Sequence, residues 1–135
     1  MDEPGERNLP FIFTLILYML TVFYLFRLPM QFINLTIAFV AGCTLSVLLN
    51  FVINLKWKIS SHLTGIGGIL GLIAVMRIIN LTAPITFLVL TILAAGFLYW
   101  ARTITGAHSI KQSLAGMMLG FVTIFFSILT SYLVI

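Results

Sequence analysis

Acidic residues are nearly missing: Asp2, Glu3 and Glu6 are the only carboxylate side chains in 135 residues. All three precede the first apolar run. The rest of the chain therefore has no carboxylate pair for two-acid hydrolysis and no acidic cluster for a hard cation. Cysteine is reduced to Cys43, alone inside an apolar stretch. That excludes a disulfide framework and thiolate metal-ligand spacing, and leaves a buried, inert thiol. Charge of either sign is scarce at 7%, and the seven basic residues stand near the ends of apolar runs. Nothing forms a basic stripe, so nucleic acid is not an expected partner. Internal repeats, low-complexity tracts and linkers are absent as well.

What is present is apolar. Hydrophobic residues make up 61% of the chain, and the mean hydropathy is +1.21. A soluble domain of this size cannot hide that much apolar surface, so lipid must be the solvent for most of it. Five apolar runs are legible, 9–26, 32–55, 63–79, 85–100 and 114–135. Pro10 suits the first turn of the first run, and Pro29 discourages a helix continuous with the second. Because the flank Asp2 to Arg7 carries three acids and one base, the first run is read as a retained span, not a cleavable signal. Residues 1–8 are read as a polar flank and 9–135 as a single transmembrane helical domain. The expected fold is all-α, a polytopic membrane bundle of about five spans.

Glycines set the expected packing. Gly67 and Gly71 on the third run, and Gly116 and Gly120 on the fifth, have the four-residue spacing that lets helix backbones approach. Such faces would permit a homo-oligomer. A glycine-rich phosphate loop at Gly65 to Gly71 lacks the Lys-Ser/Thr that should follow it. Asn50 and Asn54 share a helical face and serve as interhelical glue. Asn34-Leu35-Thr36 and Asn80-Leu81-Thr82 match the glycosylation pattern but abut spans, and are read as chance.

Two polar islands interrupt the apolar pattern. One is Lys56-Trp57-Lys58-Ile59-Ser60-Ser61-His62; the other runs from Ala101 to Gln112 and places Arg102 six residues before His108. Two spans separate them, so both fall on one membrane face, with Trp57 and Tyr99-Trp100 as interfacial belt residues. Arg77 and Arg27 lie on the opposite face. The basic count favours a cytoplasmic site face, but decides nothing once Lys58 and Arg102 are set aside as functional.

Ionisable residues at span ends are functional suspects because burying them is costly. Arg102 offers a fork for phosphate, Lys56 and Lys58 add point charges, and both histidines stand where a helix begins. One histidine would attack phosphorus; the other would protonate the leaving oxygen and then activate water. The plainer reading is interfacial anchors and helix caps. Ser109 and Gln112 have capping-box spacing, and Ser60 or Ser61 would cap the third helix.

Arg102, five residues, His108, three residues and Gln112 resembles the third signature of the type 2 phosphatidic acid phosphatase family, Ser-Arg, five residues, His, three residues, Asp. Ile59-Ser60-Ser61-His62 resembles the second signature, Pro-Ser-Gly-His. The stretch Trp57 to Gly71 is similar to short bacterial membrane proteins at the edge of that family. The resemblance covers about residues 56–116. It implies His108 as nucleophile, His62 as general acid, and Arg102 and Ser60 as phosphate holders, without metal or other cofactor. The departures are specific. The first signature, Lys, six residues, Arg-Pro, is absent; Arg7 and Pro10 echo it, and Lys56 or Lys58 would substitute in space. Ala101, Ile59 and Ser61 replace family residues, and Gln112 replaces the Asp that would orient and charge-stabilise the nucleophile. The family fold implies a six-helix core, with two further spans before the equivalent of Asp2 in the relatives it most resembles.

The expected function is a phosphatase-like activity on a lipid phosphate or isoprenyl diphosphate in a bacterial inner membrane. The alternative is a weak or inactive relative that binds lipid head groups or a protein partner. A small transporter ranks third, since polar groups at mid-membrane are few.

Overall fold

The computed structural model describes residues 4–29, 33–81 and 83–134, with the side chains of 4–7 and 33 aside. Its elements are five helices, α1 Pro4–Leu25, α2 Ile33–Asn54, α3 Ser61–Ile78, α4 Ile85–Ile104 and α5 Ile110–Val134. The fold is all-α, and all five helices are long and apolar enough to cross a membrane. The chain is by that measure an integral membrane protein.

The packing is led by one pair. α3 lies against α5 along most of its length, α2 packs on α5, α1 on α2, and α4 on α3. Glycine makes the central pair this close. A Cβ at Gly67 would strike the Met117 carbonyl, and one at Gly71 would come within 2.5 Å of the Phe121 carbonyl. Reciprocally, a Cβ at Gly120 would strike the Thr64 carbonyl, and one at Gly116 would come within 2.5 Å of the Ser60 carbonyl. The four-residue glycine spacings thus meet each other inside one chain, and those faces are not free for a second copy.

Away from the islands, the core is Ala38, Val75, Ile79, Ile124 and Ile128. Ser127 closes α2 onto α5 by donating to the Ala38 carbonyl at 2.6 Å. The outer helices α1 and α4 have only 6% of their span residues buried, against 39% for α3, so lipid must cover their apolar sides.

Helix ends differ from the sequence expectation in three places. α1 begins at Pro4, which takes the first-turn position that needs no N–H, and Pro10 lies inside the helix. α4 continues through Arg102 to Ile104, and α5 starts at Ile110, so much of the second island is helical. Asn80 ends the α3 region at φ 59°, the left-handed cap position that asparagine tolerates. Arg77, in the last turn of α3, is exposed and donates to the Ala83 carbonyl at 3.3 Å, a favourable place for a cation.

Candidate functional site

The α2–α3 connection is held by its apolar residue. Lys56, Trp57 and Lys58 are exposed, while Ile59 is 2% exposed and Ser60 is wholly buried. Burying Ile59 favours this loop shape by about 1.5–3 kcal/mol. Ser60 is the N-cap of α3: its Oγ accepts from the Leu63 N–H at 3.4 Å, and its carbonyl accepts from the Thr64 N–H and hydroxyl at 2.9 and 3.0 Å. His62 is therefore the second residue of an N-terminal turn.

The α4–α5 connection is shaped by Gly106, whose φ of 69° only glycine adopts cheaply. Its N–H donates to the Thr103 carbonyl at 3.2 Å, the inner bond of a Schellman-type cap. The chain then folds back so that the His108 N–H donates to the Arg102 carbonyl at 3.2 Å. Ser109 and Gln112 form a reciprocal capping box. Gln112 Oε1 accepts from the Ser109 N–H at 2.8 Å, and Ser109 Oγ accepts from the Gln112 N–H at 3.2 Å.

The two islands meet. The Ser60 N–H donates to the Gln112 carbonyl at 3.3 Å. His108 Nδ1 lies 3.2 Å from the Lys58 carbonyl. A carbonyl can only accept, so Nδ1 carries the proton in that contact, and in the neutral ring Nε2 keeps its lone pair. Burial holds the His108 pKa below the ordinary imidazole value; the bond to the Lys58 carbonyl raises it, and the charges of Lys58, Arg102 and His62 lower it further. Those three groups are thus close enough to His108 to act on it electrostatically.

Beneath the junction, Asn50 is the hub of a polar network. Its Nδ2 donates to Thr64 Oγ1 at 2.7 Å; its Oδ1 accepts from Ser61 Oγ at 3.1 Å and from Asn54 Nδ2. The bonds to Thr64 and Ser61 pin α2 to the start of α3. Ser113, also wholly buried, has an Oγ with no hydrogen-bond partner among the described residues.

Of the residues singled out in the sequence, His62, His108, Arg102 and Lys58 gather at the junction, and Lys56 is exposed on the same loop. Ser60 is different. Its hydroxyl and N–H are used inside the fold and it presents no accessible atom, so the phosphate-holding place expected for it is occupied by helix capping. Gln112 directs its side chain to Ser109, and the group facing His108 Nδ1 is the main-chain carbonyl of Lys58. No sequence signal marks that carbonyl, since every residue has one. Among the described residues, no cluster of three or more His, Cys, Asp or Glu is placed to hold a metal. No family model, no curated protein and no solved structure matches the chain.

Proposed function

We propose that the protein is a metal-independent phosphatase of lipid phosphates, or of isoprenyl diphosphates, in a bacterial inner membrane. The observation that carries this reading is the contact between His108 Nδ1 and the Lys58 carbonyl. In the neutral ring, that contact leaves Nε2 free, beside two cations and a second histidine. In the reaction, Nε2 of His108 attacks phosphorus and the bond to the leaving oxygen breaks. His62 gives that oxygen a proton; it then takes one from the water that cleaves the phosphohistidine, releasing inorganic phosphate. Arg102 and Lys58 offset charge on the equatorial oxygens, and the start of α3 favours an anion.

The same geometry favours a second reading, a weak or inactive relative that binds anionic head groups. A carbonyl fixes the tautomer but does not neutralise the imidazolium as a carboxylate does, so the positive ring formed on phosphorylation is stabilised less.

Phosphate release by the purified chain without added metal separates the two. Phosphatidic acid and an isoprenyl diphosphate are the substrates, with His108→Ala and His62→Ala beside the native chain. Release that disappears in both variants, with a phosphohistidine trapped only when His108 is present, is the expected result. Silence from the native chain, together with retention on phosphatidic acid vesicles that falls in Arg102→Ala, would move the reading to head-group binding.

A further inference from the structure

A cavity of about 250 Å³ opens between α1, α2 and α3, lined by neither histidine, with Ile124 of α5 also on its wall. Its rim is the satisfied network of Asn50, Ser61 and Thr64; deeper come Ser46 and then Cys43 and Phe39. Ser46 is 7% exposed, and its hydroxyl has no partner among the described residues. In a medium without water, an unmade hydrogen bond is costly, so an oxygen-bearing occupant would be held there. Among the described residues no charged side chain lines the cavity, which disfavours a phosphate or carboxylate. Its shape narrows the choice again. From Asn50 to Phe39, helix rise gives a length of about 16 Å, so the space is long and narrow. That suits an extended alkyl chain and excludes a helix, whose diameter is about 10 Å. Gly65 stands exposed at the edge, and a Cβ there would meet nothing.

We propose that this cavity binds one chain of a neutral single-chain lipid bearing a hydroxyl or ester oxygen, the long-chain alcohol class, with that oxygen on Ser46. The site does not depend on the phosphate chemistry. Its test uses the full chain in phosphatidylcholine nanodiscs and a diazirine-bearing hexadecanol, with crosslinked peptides mapped by mass spectrometry. Labelling concentrates on the segments 43–50 and 64–69 and is competed by 1-hexadecanol but not by hexadecyl phosphate. Ser46→Ala lowers it about three- to tenfold, the worth of one hydrogen bond. Gly65→Leu, which has open space to fill, lowers it further while leaving the thermal unfolding midpoint unchanged. Labelling spread evenly over all five helices, or insensitive to Gly65→Leu, would overturn the site. Equal competition by hexadecyl phosphate, or no loss in Ser46→Ala, would overturn the class of ligand.

Discussion

At the residue scale, His108 is defined by what surrounds it. Protonation would remove the Nε2 lone pair, and burial together with Lys58, Arg102 and His62 opposes that protonation. The acid limb of a phosphate-release profile is therefore expected below the ordinary histidine value of about 6.5, with activity lost as pH falls through it. Lys58→Met takes away one repelling charge and leaves the main-chain acceptor in place. It should move that limb to higher pH and weaken phosphate binding; a limb that stays put would mean that Lys58 does not act on the imidazole. Gln112 is expected to matter mainly for stability. Gln112→Ala removes one arm of the capping box, and a loss of about 1 kcal/mol in thermal unfolding checks it. The histidines, Arg102, Lys58 and the Ser109–Gln112 spacing were all legible in the sequence. The partner of His108 was not, because a backbone carbonyl leaves no mark in a string of side chains. Nor was the burial of Ser60, which follows from Gly116 allowing α5 to press against its carbonyl.

At the element scale, two glycines at different helix positions carry opposite expectations. Gly120 faces the Thr64 carbonyl with no room for a methyl group, so Gly120→Ala is expected to destabilise by about 1–3 kcal/mol. A methyl group added at Gly96 on α4 would meet nothing within 4 Å, so Gly96→Ala should be neutral or gain about 0.5–1 kcal/mol from helix propensity. Thermal unfolding of both in one detergent tests the pair. Gly106→Ala adds no clash, yet it must hold a side chain at φ 69°, a cost of about 1–2 kcal/mol. Because that turn delivers the His108 N–H to Arg102, phosphate release should fall more than the unfolding midpoint suggests. Helix identity was readable from the apolar runs and the four-residue glycine spacings. Helix ends were less so. Pro4 and Pro10 offer the same first-turn chemistry, and a short polar segment such as 101–104 continues a helix when α4 already provides its carbonyls.

At the scale of the whole molecule, the five spans and the shared face of the two islands followed from counting apolar runs. The order of packing did not, since hydropathy alone cannot say which of five apolar helices takes the centre. α3 and α5 take it because the glycines sit on both. Disulfide trapping offers a check: a Gly68→Cys and Ile124→Cys pair is expected to crosslink within one chain in Cys43→Ser membranes, and a Leu9→Cys and Leu93→Cys pair is not.

The glycine interlock also imposes an order on assembly. α3 is made before α4, and its partner α5 comes last. Between those moments, the glycine-lined flank of α3 has no backbone to meet, and the loop carrying His62 has no Gln112 carbonyl to hold it. Synthesis proceeds at about 5–20 residues per second, so the interval lasts seconds and falls to lipid or an insertion chaperone to cover. A chain stopped after Ile104 would keep four helices able to span the bilayer and lose the one that organises them, and should be cleared by membrane proteases while the full chain persists.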